Sequence, residues 1–153
     1  MTAHLNGFEG VIEIFDHAYA SGNNFPKVRL AFDDDDKPIH MRRTSSGRFE
    51  GSVTITDDRG YPTNTFYGRI TREGSFDPSR HARDMPRETK LALWTLLKRF
   101  QDGDAEAVFA EFGKRFGFCS CCGRPLSNEE SVSRGIGPVC AQRWGLNTDA
   151  EAA

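Results

Sequence analysis

All four cysteines of this chain lie in one glycine-rich stretch, Phe116 to Gly145, which reads FGFCSCCGRPLSNEESVSRGIGPVCAQRWG. Cys119 and Cys122 form a C-x2-C turn with Gly123 directly after it. Such a turn aims two thiolates at one point, and the glycine lets backbone N–H groups approach the sulfurs without a Cβ clash. After a seventeen-residue spacer comes Cys140, preceded by Gly135-Ile136-Gly137-Pro138-Val139. Pro138 suits the first turn of a helix, where its missing N–H would be unpaired anyway. Cys140 then stands in that first turn, where the positive helix end favours a thiolate. Gly145 can close the helix. A knuckle, a loop and a cysteine at a helix start predict a treble-clef or ribbon-like zinc half-site.

The common zinc pattern ends in a second C-x2-C, but here its last position is Arg143. The spacing therefore supplies Cys119, Cys122 and Cys140 and leaves the fourth ligand open. Cys121, His81, His40, Asp149 and water are the alternatives. Against coordination stand two plainer readings: buried reduced cysteines packing as small apolar groups, and a disulfide. The opening MTAHLNGFEG lacks a basic region followed by an apolar core. A reducing cytoplasmic setting is the expectation, and disulfides are rare there. No βαβ pattern surrounds the C-x2-C, which disfavours a redox motif. Thiolate-rich sites favour zinc.

The rest of the chain reads as an α+β body. With 153 residues, it divides into a body over 1–115, a zinc knuckle packed on it over 116–146 and a frayed tail over 147–153. Phe8, Val11, Ile12, Phe15 and Tyr19 recur at helical spacing, and Ser21 to Asn24 stops that helix. Four period-two runs follow: Val28–Phe32, Ile39–Arg42, Phe49–Ile55 and Phe66–Ile70. The short turns between them, among them the acidic run Asp33–Asp36, predict an antiparallel meander. Ser75-Phe76 can add a fifth short strand. Two helices come next, the first with Asp84 as cap and Leu93, Leu96, Leu97 and Phe100 as its stripe. The second has Asp104 as cap and Val108, Phe109, Phe112 and Phe116 as its stripe. No apolar run is long enough to span a bilayer.

The net charge is -2, so the chain has no global basic signature, but charge can be segregated locally. Alternation places Lys27, Arg29, His40, Arg42, Tyr67 and Arg69 on one face of the sheet. Cations that meet phosphates beside a ring that stacks on a base are a means of holding nucleic acid. The competing reading is an ordinary solvated face, and Glu50 and Asp57 interrupt the patch. Arg124, Arg134, Arg143 and Trp144 add charged and aromatic groups beside the knuckle. Catalysis finds little support. There is no phosphate-binding glycine loop, and no His-x-Glu stands upstream of Cys119. Ser131 and Ser133 have no base nearby in sequence. A three-cysteine zinc with an open water position is the one catalytic alternative.

The run Cys119-x2-Cys122-Gly123-Arg124-Pro125-Leu126, then Ser131, then Gly135-Ile136-Gly137-Pro138-Val139-Cys140-Ala141 resembles an uncharacterised zinc-knuckle family of bacteriophage and actinobacterial proteins. More loosely, Lys27-Val28-Arg29-Leu30, Glu50-Gly51-Ser52-Val53 and Tyr67-Gly68-Arg69-Ile70 are similar to members with a β-rich N-terminal half. Some relatives carry a histidine where this chain has Arg143, which would complete the site. The resemblance implies a phage-related protein of the host cytoplasm, acting on nucleic acid or on a host protein. The expectation is therefore a small zinc-binding, nucleic-acid-binding accessory protein. An adaptor or inhibitor of a host protein, with zinc purely structural, is the alternative.

Overall fold

Val11, Ile12, Phe15 and Ala18 are all buried, so Glu9–Ala20 forms α1 with one face committed to the core. The computed structural model describes residues 7–31, 38–59, 63–126, 129 and 135–145. The expected turn at Asp33–Asp36, Ser131, Ser133, Arg134, Asp149 and the tail from 147 lie outside the described residues.

After α1 come β1 (Lys27–Ala31), β2 (Pro38–Arg43), β3 (Val53–Asp57), β4 (Phe66–Ile70) and β5 (Phe76–Pro78). They form one five-stranded antiparallel meander in chain order. Val28, Leu30, Ile39, Met41, Val53, Ile55, Ile70 and Phe76 point to one face and are fully buried. Each contributes on the order of 1.5–3 kcal/mol through removal of its side chain from water. The alternate residues face the other way, as the period of two requires.

Two details of the sheet differ from the pattern in the sequence. Phe49 and Gly51 alternate with Val53 and Ile55, yet β3 begins only at Val53. Gly51 has φ 86°, outside extended backbone, and its N–H donates to the Thr44 carbonyl at 2.9 Å. Phe49 therefore sits in the β2–β3 turn. The second difference is a β-bulge in β4. Ile55 pairs with Gly68 but the next residue, Thr56, pairs with Phe66. Tyr67 is the extra residue, and it packs against the hydrophobic core. Ser79 braces the bulge: its hydroxyl donates to the Phe66 carbonyl at 2.5 Å and its N–H to the Tyr67 carbonyl at 2.9 Å.

The same Ser79 hydroxyl accepts the Ala82 N–H at 3.1 Å and so caps α2 (Arg80–Asp84), a short helix with no apolar stripe to announce it. Asp84 thus ends α2, and Pro86 takes the position before α3 (Arg87–Gln101). Leu93, Leu96, Leu97 and Phe100 are buried as their spacing predicts. Asp104 stands before α4 (Ala105–Phe116), but its carboxylate does not cap the helix. It binds Arg99 at 2.7 Å instead, and Arg99 also holds Glu111 at 2.7 Å. Gly117, with φ 79°, ends α4 and turns the chain into the knuckle.

The C-terminal segment shares the core of the body. Gly137 leads into α5 (Pro138–Arg143), with Pro138 opening the helix. Trp144 is buried, its ring edge-on to Phe15 at 5.0 Å and to Phe109 at 6.0 Å. Ile136 is buried as well. Gly113 of α4 and Gly135 touch backbone to backbone; a Cβ on Gly113 would overlap the Gly135 carbonyl. Among the described residues no helix is long and apolar enough to cross a membrane.

Candidate metal centre and the adjoining sheet face

The local chain around Cys119 folds as the glycines dictate. Cys119 N–H donates to the Arg124 carbonyl and Gly123 N–H to the Cys119 carbonyl, both at 2.9 Å. Gly123 has φ 77°, a conformation that an L side chain rarely adopts. Leu126 N–H donates to the Gly117 carbonyl at 2.9 Å, closing the knuckle onto the end of α4. Gly137 N–H donates to the Cys119 sulfur at 3.5 Å, and the Cys122 N–H points to the same sulfur.

The sulfurs of Cys119, Cys122 and Cys140 lie within 4.8 Å of one another. Zinc–sulfur bonds of about 2.3 Å in a tetrahedron put sulfurs about 3.8 Å apart, so modest inward motion would seat an ion. Three thiols, none of them in a disulfide, could hold a metal ion. Cys121 is outside this group of three, yet its thiol bonds to Cys119 and Cys140. Neither His81, exposed on α2, nor His40, on the sheet, joins the group.

Hydrogen bonding among the sulfurs drives their proton affinities apart. The thiols of Cys121 and Cys140 donate to Cys119, and with the N–H groups of Gly137 and Cys122 they hold the Cys119 thiol far below its usual range. The same bonding to Cys119 pushes Cys140 up to about 12 and Cys121 well above its ordinary value. A bound ion would displace those thiol protons.

The knuckle adjoins the sheet through β1. Arg29 N–H donates to the carbonyl of buried Ser120 at 2.8 Å. The Arg29 guanidinium lies against Gly123, with Nη1 3.0 Å from where a Cβ would stand. Across the open sheet face the register sets out two rows. Lys27, Arg42, Thr54 and Arg69 form one; Arg29, His40, Thr56 and Phe66 form the other. Burial, then the charges of Lys27 and Arg29, lower His40 to about 4 against the opposing pull of Asp58, so the imidazole is neutral at pH 7. Burial, then Arg29 and Arg42, also lower Lys27.

The structure thus brings Lys27, Arg29, Arg42 and Arg69 together and leaves Tyr67 out, because the bulge turns Phe66 to the open face in its place. Arg124 and Arg143 are exposed beside the knuckle. Trp144, taken from the sequence as a surface group, is a core residue. The pattern alone missed Phe49 and Phe66, whose rings flank Arg69 with its guanidinium carbon 3.8 Å and 5.2 Å from their centroids. Gly68 was the available signal, since a glycine inside a strand often marks a bulge. A Cβ there would stand 2.7 Å from the Asp77 carbonyl and the Phe76 ring.

Residues 109–145 match the model of a family of unknown function, DUF6011. The match covers the whole cysteine cluster. It begins at Phe109, inside α4, so the matched unit takes in the helix on which the knuckle packs as well as the knuckle. The sheet and its basic face fall outside it. No curated protein matches the chain, and no solved structure does.

Proposed function

We propose that this protein binds nucleic acid through the open face of its sheet, with a structural zinc holding the knuckle beside that face. One observation carries the reading. Among the described residues, Lys27, Arg29 and Arg42 share this face without an ion pair, whereas Arg43, Arg59 and Arg99 are each paired with a carboxylate. Clustered cations without acidic partners raise their own energy; burial and, after it, Arg29 and Arg42 lower Lys27. A polyanion relieves that repulsion and gains the entropy of released counterions. Zinc is the ion that best suits three thiolates, and its role here is to order a segment rich in glycine. The phage-related, cytoplasmic setting implied by the motif is compatible with such a role.

The test is fluorescence anisotropy with labelled oligonucleotides over a range of salt. Three phosphate contacts on a single strand give a slope of log K against log salt of about -2. The triple variant Arg29→Glu, Arg42→Glu, Arg69→Glu should lose that binding. Absence of binding at low salt, or full binding by the triple variant, refutes the reading. A host protein captured at the same face would then support the adaptor role instead.

A further inference from the structure

We propose that the open sheet face takes a single strand of nucleic acid laid across the strands, with one unpaired base stacked on Phe66 and the phosphates following the row from Arg69 to Lys27. This rests on the nucleic-acid reading above and specifies which form of nucleic acid binds and how.

The site is a groove of about 460 Å³ lined by His40, Arg42, Thr54, Thr56, Asn64, Phe66 and Arg69. Among the described residues no carboxylate lines it. A groove at buried Arg43 has Asp16 and Glu50 in its wall, and Arg43 is paired there with Asp16. The groove on the sheet has no ion pair of that kind, although Asp58 pulls on His40 and Asp77 on Arg69. Asp77 is the cross-strand neighbour of Arg69, but the two make no ion pair. Arg69 is held by rings instead: its guanidinium lies over Phe49 and beside Phe66, and its buried Nε has no hydrogen-bond partner. Stacking fixes the plane of the guanidinium without neutralising it, which is how an arginine is prepared for an anion.

The two rows divide the labour. Strands stand about 4.8 Å apart, so Lys27 to Arg69 covers about 14 Å across three steps. Cations occupy that row at both ends and at Arg42. The parallel row offers an aromatic ring at Phe66, a hydroxyl at Thr56 and an imidazole at His40, and ends on β1 in a further cation, Arg29. Neutral His40 has both a donor and an acceptor to offer a base edge. Inside a duplex both faces of a base are covered by its neighbours and only the two end pairs keep an open face, whereas every base of a single strand can turn a face to Phe66. The cationic row ends at Lys27 on β1, two residues from Arg29, whose guanidinium lies against Gly123, so the strand would leave the sheet over the knuckle.

The experiment compares a short fluorescein-labelled oligothymidylate with a blunt duplex of the same length, using the full chain loaded with zinc. The single strand should bind more tightly. Phe66→Leu should weaken it about 5- to 100-fold with the salt slope unchanged, because stacking is lost and no phosphate contact is. Phe66→Tyr keeps a ring and should restore binding, which separates stacking from misfolding. Arg42→Gln should instead reduce the slope by about 0.7. Equal affinity for single strand and duplex, or a Phe66→Leu protein that is folded by circular dichroism and binds as wild type, overturns the inference while the broader nucleic-acid reading stands. If neither probe binds at low salt, both fall together.

Discussion

At the scale of single residues, the cysteines and His40 make the sharpest claims. Serine in place of Cys119, Cys122 or Cys140 removes one of three converging sulfurs. Each substitution should cost more metal affinity than the roughly 10- to 100-fold that follows loss of a supporting partner. Metal content of the purified variants and competition with a chelator read this directly. His40 sets a pH dependence of known sign. Its folded-state value of about 4 lies below the ordinary 6.5, so the unfolded chain takes up this proton first. The contribution of His40 to stability is complete above pH 6.5 and is lost as pH falls toward 4. Denaturant titrations should therefore show wild type losing stability relative to His40→Gln as pH falls from 6.5 toward 4, with no such drift between the two above pH 6.5. The convergence of Cys119, Cys122 and Cys140 and the cations of the sheet face were legible from spacing and alternation. Tyr67 was misplaced because one extra residue in β4 reverses which side chain faces out, and alternation cannot register an insertion that hydrogen bonding to Ser79 stabilises.

At the scale of elements, two glycines in helices make opposite predictions. Gly113 is buried in α4 against the backbone of Gly135, so Gly113→Ala must push the loop off the helix. Overpacking of this kind costs about 1–3 kcal/mol, and about 2–4 °C of Tm per kcal/mol is the expected scale. Gly10 is exposed in α1 with nothing within 4 Å of an added Cβ. Gly10→Ala should therefore stabilise by about 0.5–1 kcal/mol, since alanine loses less backbone entropy in a helix. Thermal unfolding of the two variants is the check. Helices α1, α3 and α4 were legible because each buries a long apolar stripe. The short α2 was not, since it rests on a cap bond from Ser79 and on contact with the sheet. Asp104 shows the same limit in reverse: a favourable cap residue was drawn off by Arg99, a partner that the local sequence does not point to.

At the scale of the whole molecule, the meander, the cysteine cluster and the packing of one on the other were readable, but the residues that join them were not. Trp144 looked like a surface group because its neighbours are polar; only the folded chain shows it wedged between Phe15 and Phe109. Because Ile136 and Trp144 are core residues, metal binding should stabilise the entire fold and not merely the knuckle. Stripping the metal with a chelator should lower Tm while unfolding remains a single transition by both tryptophan fluorescence and far-ultraviolet circular dichroism. An early, separate transition confined to the fluorescence would show instead that the knuckle opens independently.

The bond from Arg29 to Ser120 has one more consequence. β1 is an outermost strand, and its amide at Arg29 points away from β2 toward the knuckle. Were the knuckle to come loose, that rim would be left bare and ready to pair with the same rim of another molecule. Demetallated protein should thus self-associate as concentration rises, visible in sedimentation velocity, and a metal ion in the thiol cluster would be guarding the molecule's solitude as well as its shape.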